Sequence, residues 1–209
     1  MEHVQAYPPP AVPTAYPPLA TRVSVIGPQY CYPQPIDLVV LRKVLTISEG
    51  KFAVTDIYGN IMFKTKGKFF SIHDRRLLTD AAGNPVCTLG YRSMASIQGE
   101  STEEKDLIFT AKRSSMIQLK TKLHVFLATN PKEDVCDFRM EGSWLERSCF
   151  IYSGERNTIL AQMHKKHSVE SEFLGKDKFM VTVYPNVDYA FVVALIAILD
   201  GINNDDDFE

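Results

Sequence analysis

The feature that most constrains this chain is a run near its end, Asp188 to Ile202, reading DYAFVVALIAILDGI. From Tyr189 to Leu199 the Tyr189 hydroxyl is the sole polar side-chain group. Wound as a helix, this segment is apolar on every face, and such a helix must be buried on every face. It is shorter than the roughly 20 apolar residues that a bilayer span takes. It is longer than a usual strand of about 5–6 residues, which favours the helix. Asp188 supplies an N-cap and Gly201 a stop, which predicts a helix over about 188–202. The preceding chain therefore has to wrap one greasy helix.

What precedes it reads as strand after strand. Short apolar or alternating runs, separated by turn residues, fall at Asp37–Leu41, Lys51–Thr55, Ile61–Lys64, Lys68–Ile72, Arg76–Thr79 and Val86–Tyr91. They continue at Leu107–Ala111, Leu123–Leu127, Asp137–Met140, Cys149–Tyr152, Ile159–Lys165 and Phe179–Tyr184. A short helical turn is expected around Ser168–Phe173, and no long amphipathic period precedes the final run. Many short, evenly spaced strands argue for a sandwich or barrel, and closing a barrel removes exposed edges. One all-apolar helix added to such a sheet fits a closed antiparallel β-barrel with the helix in its lumen.

A recurrence supports consecutive hairpins. Thr55-Asp56-Ile57-Tyr58-Gly59-Asn60 and Thr79-Asp80-Ala81-Ala82-Gly83-Asn84 share T-D-x-x-G-N, with a looser echo at Ser153–Asn157. Asp accepts backbone N–H groups in a turn, and Gly and Asn tolerate positive φ. A calcium loop needs further acidic or amide ligands and a closing Glu, which both copies lack.

Nine of the twelve prolines precede Ile36, interleaved with Tyr7, Tyr16, Tyr30 and Tyr32. Residues 1–30 read as a disordered Pro/Tyr-rich arm, a solubilising tail or a docking peptide for an SH3-like or WW-like groove. The barrel is expected over 31–203, and an acidic tail over 204–209. The net charge is −2, yet without Asp200, Asp205, Asp206, Asp207 and Glu209 the remainder carries +3. That is too little for an electrostatic nucleic-acid binder, so no nucleic acid is expected. Four scattered cysteines with no CxxC pair read as reduced thiols in a cytoplasmic or nuclear monomer, with any membrane contact peripheral.

Thr55–Lys64 (TDIYGNIMFK), His73–Val86 (HDRRLLTDAAGNPV), Lys112–Lys122 (KRSSMIQLKTK), Gly142–Arg147 (GSWLER) and Gly175–Asp200 together carry a resemblance. The chain resembles the plant LURP-one-related family, of the tubby-like group with the tubby C-terminal domain and the phospholipid scramblases. The resemblance implies a barrel of about twelve strands around a central C-terminal helix. It also implies a family of largely undefined molecular activity, with some members linked to plant defence. One departure stands out: the segment Cys87–Lys105 is short by that pattern. A strand near Met94–Gly99 is therefore expected to be short, irregular or absent, which puts closure on that side in question.

The best candidate site is cationic. Lys112, Arg113, Lys120 and Lys122 flank Ser114-Ser115-Met116, with Lys105 upstream and no acid between Lys112 and Lys122. Such a set suits an anionic phospholipid headgroup, at about 1 kcal/mol per cation near a membrane surface. The plainer reading is a solvated face whose lysines blunt a sheet edge. The resemblance to tubby, whose domain binds phosphoinositides, adds to the lipid reading. His164 and His167 with Cys136 and Cys149 lack zinc-ligand spacing, so no metal or cofactor is expected. His73-Asp74 pairs an imidazole with a carboxylate, but no nucleophile motif accompanies it. Asp37, Glu146 and Arg147 read as ion-paired strand residues. The expectation is a non-enzymatic binding module for an anionic membrane surface or a protein partner. A scramblase-type lipid mover and a nuclear regulator are the alternatives.

Overall fold

The structure, a computed structural model, describes residues 21–42, 52–66, 75–91, 95–98, 107–113, 121–154, 158–164 and 178–205. Its elements in chain order are β1 (Ile36–Arg42), β2 (Phe52–Thr55), β3 (Ile61–Lys66), β4 (Arg75–Asp80), β5 (Pro85–Tyr91) and β6 (Ala95–Gln98). There follow β7 (Leu107–Arg113), β8 (Thr121–Leu127), β9 (Phe138–Ser143), β10 (Ser148–Ser153), β11 (Ile159–His164), β12 (Lys178–Val183) and α1 (Tyr189–Asp205).

Successive strands pair antiparallel, and β1 pairs with both β2 and β12. An open sheet of eleven strands would leave two unpaired edges. Here the β1–β12 register, from Ile36↔Val183 to Leu41↔Lys178, joins the ends, and β6 lies hydrogen-bonded between β5 and β7. The sheet is a closed ring of twelve strands.

The short strand expected near Met94–Gly99 is β6, Ala95–Gln98, while Lys68–Ile72 lies outside the described residues. β6 is short, and its register with β7 shifts between Ile97 and Gln98, yet it is paired on both sides. The helix does not stop at Gly201 but runs on to Asp205, because burial of Ile202 outweighs the cost of a helical glycine. The expected helical turn at Ser168–Phe173 also lies outside the described residues.

Alternation along the strands sends one face inward. β12 alternates half-buried and buried residues from Lys178 to Val183, with Phe179, Val181 and Val183 buried. Every residue from Ala190 to Leu199 is at most 3% exposed, so α1 is enclosed on all faces. Phe191 meets Phe109 and Phe138 at ring separations of 5.2 and 4.9 Å. The small face of Ala190, Ala194 and Ala197 is buried with the rest.

An antiparallel meander puts alternate connections at opposite ends of the barrel, which defines two mouths. The first is where α1 begins, the second where it ends. At the first, Asp188 is fully buried. Its Oδ1 accepts the Phe191 N–H at 3.0 Å, an N-cap bond. Its Oδ2 accepts the N–H groups of Val25, Ile26 and Gly27 at 3.0, 2.7 and 2.9 Å. Val23 bridges to Val187, and Tyr30 packs edge-on against Tyr189 at 5.5 Å. Residues 21–30 therefore belong to the barrel, not to the arm. The proline-poor stretch Thr21–Gly27 offers the N–H groups that the prolines before it lack.

The two T-D-x-x-G-N copies form matching turns at this mouth. Asp56 Oδ1 accepts the N–H groups of Tyr58 and Asn60, and Gly59 has φ 90°. Asp80 Oδ1 accepts the N–H of Asn84, and Gly83 has φ 92°. Each carboxylate also takes its asparagine's side-chain N–H, at 2.8 and 2.9 Å. Those bonds hold both acids below the usual carboxylate range.

Candidate functional site

The cationic set is divided by the strands that carry it. Lys112 and Arg113 end β7, and Lys122 lies near the start of β8. Lys112 stands opposite His124, and Arg113 opposite Leu123. Lys120 and Lys105 lie outside the described residues, as does His73.

Lys112 faces the outer wall, not a ligand space. Its Nζ bonds Glu133 Oε2 and lies 5.3 Å from the Phe126 ring centroid. Glu133 Oε1 also accepts the Thr110 hydroxyl at 3.1 Å. The Lys112 bond holds the Glu133 carboxyl below its ordinary range. The sequence has no acid between Lys112 and Lys122. The β8–β9 connection brings one across from 21 residues away. Lys122 Nζ lies 3.5 Å from Glu141, which also meets Arg139 at 3.3 Å. Burial, then Lys122, pushes the His124 imidazole below its usual value. Arg113 and Lys122 remain exposed.

The second mouth holds a group that sequence reasoning missed. Asp200, 1% exposed, sits on the last turns of α1. Arg42 Nε bonds its Oδ1, and Arg76 Nη1 lies 3.8 Å from its Oδ2. Arg42 also stacks over Trp144 at 5.4 Å. Arg147 lies over the same indole at 4.4 Å and over Phe179 at 5.0 Å. Cationic heads over aromatic faces are favourable, more so when desolvated. Arg147 thus stacks on aromatic rings from the β9–β10 turn and lies outside the strands. Glu146 is on the same turn, exposed. Gly142 makes that turn's approach close: a Cβ there would lie 2.1 Å from the Ser148 carbonyl oxygen, and its φ is 143°. The signal for this cluster was a lone carboxylate ending an apolar run, which demands a buried partner.

Cys136 and Cys149 are not brought together, and His167 lies outside the described residues. Cys136 is on the β8–β9 connection at the first mouth, whereas Cys149 opens β10 toward the second. Burial pushes the Cys149 thiol up to about 12. His164 meets the Thr182 hydroxyl at 3.1 Å, and that hydroxyl donates to Asp37 at 2.6 Å. Among the described residues no His/Cys/Asp/Glu group could hold a metal ion. An open recess of about 700 Å³ lies along the β8–β9 connection, lined by Asn130, Lys132, Asp134, Asp137 and Gly154.

The chemistry available is electrostatic. Arg42, Arg76, Arg113, Lys122, Arg147 and Lys178 stand at strand ends of the second mouth. Asp37, Asp56, Asp80, Asp134, Asp137 and Asp188 stand at the first; Arg22 and Lys132 are there too, and Glu141 and Glu146 stand at the second.

Comparison with known proteins gives one consistent result. A family model described as LURP-one-related matches residues 36–200. Protein LURP-one-related 15 of Arabidopsis thaliana is 50% identical, over 98% of this chain and 97% of its own. Protein LURP1 of the same plant is 46% identical, over 84% of this chain and 87% of its own. An X-ray structure of a protein from Arabidopsis thaliana superposes with a TM-score of 0.69 at 45% identity, covering 86% of this chain and 98% of that one.

Proposed function

The chain belongs to the LURP-one-related family, and from that premise we propose that it is a non-enzymatic module binding an anionic membrane surface or a partner of like charge. The names of its relatives carry no enzymatic assignment. The observation that carries the reading is the pair Arg113 and Lys122, exposed at the ends of adjacent strands. The lumen supports it too, because α1 fills the space where a small ligand would sit. Lys112 is left out of the contact because its side chain is half-buried against Glu133 and Phe126, whereas Lys122 stays exposed beside Glu141. The arm before Thr21 offers a second contact for a protein groove. A plant-defence role would then rest on what this surface recruits. The lipid-moving alternative loses its motive. The apolar helix is committed to the core, and among the described residues no helix is long and apolar enough to cross a membrane.

Sedimentation with vesicles containing a phosphoinositide tests the proposal. Binding should weaken as salt rises, and Arg113→Ala/Lys122→Ala should weaken it by roughly an order of magnitude, at about 1 kcal/mol per cation. Salt-independent binding, or an unchanged double variant, would sink it.

A further inference from the structure

The segment that closes the first mouth is joined to the barrel by an exposed connection. Residues 21–31 meet the mouth through their backbone. Asp188 Oδ2 takes three of their N–H groups, Val23 bridges Val187, and Cys31 bridges Asp188. Val23, Val25, Ile26 and Tyr30 of the segment pack against the core. Tyr32, Pro33, Gln34 and Pro35 then lead into β1, all four exposed. There the Tyr32 carbonyl accepts the Asn186 N–H at 2.7 Å, while the two prolines have no N–H to give. The chain bends at Pro33 and Gln34 to lay the segment on its own mouth. Residues before prolines, here Tyr32 and Gln34, favour extended backbone. Straightening the bend carries the whole segment away from the barrel that bears it.

The mouth beside that connection keeps apolar side chains in water. Tyr32, Ile57 and Tyr58 are 54%, 56% and 84% exposed. They are neighbours, because Tyr32 leads into β1, which pairs with β2, and Ile57 and Tyr58 follow β2. The Asp56 turn holds the latter two out, with Asp56 accepting the Tyr58 N–H. Its twin turn carries Ala81 and Ala82 at the same positions, so the turn itself does not require large apolar residues. Charges of both signs share this mouth: Asp56, Asp80 and Asp134 with Arg22 and Lys132. A face that mixes signs is suited to meet its own copy across a two-fold axis, acid against base. The copy's mouth also offers the same Asp188 and the same bridge partners, so the fit of the segment there is the fit already seen.

We propose that two copies of this chain exchange residues 21–31, each segment closing the other copy's first mouth, with the two mouths face to face. Exchange keeps every bond to Asp188 and adds burial of Tyr32, Ile57 and Tyr58 between the copies. Association costs freedom of motion, so the share of the pair depends on protein concentration. Exchange is independent of the anionic-surface reading, and it turns the monomer expected from the sequence into one half of a pair.

Size exclusion with light scattering, on the full chain over a range of concentrations, tests the pairing. A dimer should grow at the expense of the monomer. Ile57→Ser/Tyr58→Glu should lower the dimer share at a fixed concentration by about tenfold or more, with the melting temperature of the monomer unchanged. Deleting residues 1–20 should leave the dimer in place. A full chain that stays monomeric at every concentration overturns the proposal, as does a dimer that the double variant leaves intact. Exchange itself is read by refolding Asp188→Ala chains together with chains lacking residues 1–27, so that neither has to fold alone. The first carries a segment without its acceptor, the second an acceptor without its segment. A one-to-one pair of unlike chains should exceed either like pair severalfold. If the full chain dimerises and no unlike pair forms, surface contact alone holds the dimer and the inference falls.

Discussion

The two mouths of the barrel close the same helix by different means. At the first, one carboxylate, Asp188, gathers backbone N–H groups from a segment more than 160 residues away. At the second, one carboxylate, Asp200, gathers guanidinium groups on long side chains, themselves laid against aromatic rings. Each arrangement suits the helix dipole, with negative charge at the N-terminus and cations near the C-terminus. Backbone donors are fixed in place and few alternatives compete for them, so the first mouth acts as a lock. Long cationic side chains at the second mouth reach one acid from two strands. The comparison teaches that one helix is closed by fixed backbone donors at one end and by long charged side chains at the other.

Four substitution variants and a pair of truncations would break or sharpen that contrast. The largest effect belongs to the helix both mouths share. Leu195→Asp places a lone carboxylate among residues that are 0–1% exposed, and it should abolish cooperative folding. A folded variant with an unchanged melting temperature would show that the helix is not enclosed there. Next comes the lock. Asp188→Ala strands four N–H groups and should cost about 3–5 kcal/mol, at roughly 1–3 kcal/mol for each one that water does not rescue. Denaturant unfolding would measure it. Deleting residues 1–20 should leave stability unchanged, whereas deleting 1–27 should cost much of the Asp188→Ala loss. The two losses should not add, because they remove the same bonds.

The second mouth should be softer. Asp200→Asn keeps an acceptor for Arg42 but removes the charge facing Arg42 and Arg76. About 2–3 kcal/mol is expected, toward the lower end for breaking a buried pair because both arginines reach the rim. A loss equal to that of Asp188→Ala would erase the distinction between the ends. The smallest effect is a pH slope. The turn bonds lower the Asp56 and Asp80 pKa values, so their contribution is present above the unfolded value of about 4 and is lost as pH falls through the folded values. Asp56→Asn/Asp80→Asn should flatten the fall of stability below about pH 4, read from melts across pH. An unchanged slope would remove these turns as the source of acid sensitivity.

The helix was readable because its signal is local: an unbroken apolar run cannot be solvated on any face. Its N-cap was readable for the same reason, since an aspartate directly before such a run has donors within reach. The two aspartate turns were readable from their repeated spacing. What Asp188 does with its second oxygen was not, because Val25, Ile26 and Gly27 carry no side-chain mark of that role. The strand rhythm was visible, and the short, irregular strand expected near Met94–Gly99 is the ring member Ala95–Gln98; its pairing on both sides was not readable, since its partners come from β5 and β7. The candidate cations were visible as a cluster in sequence. Their division was not, because Glu133 and Glu141 arrive from other elements.

Local chemistry by itself determined a buried helix, its cap, the hairpin turns and a strand-rich wall, since each depends on residues within a few positions of one another. Tertiary structure alone decided the pairing of β1 with β12, the lock on Asp188 and the arginine cluster around Asp200. The pairing, the lock and the arginine cluster depend on which strand ends share a mouth. That is a property of chain direction around a closed ring, and no short stretch of sequence contains it.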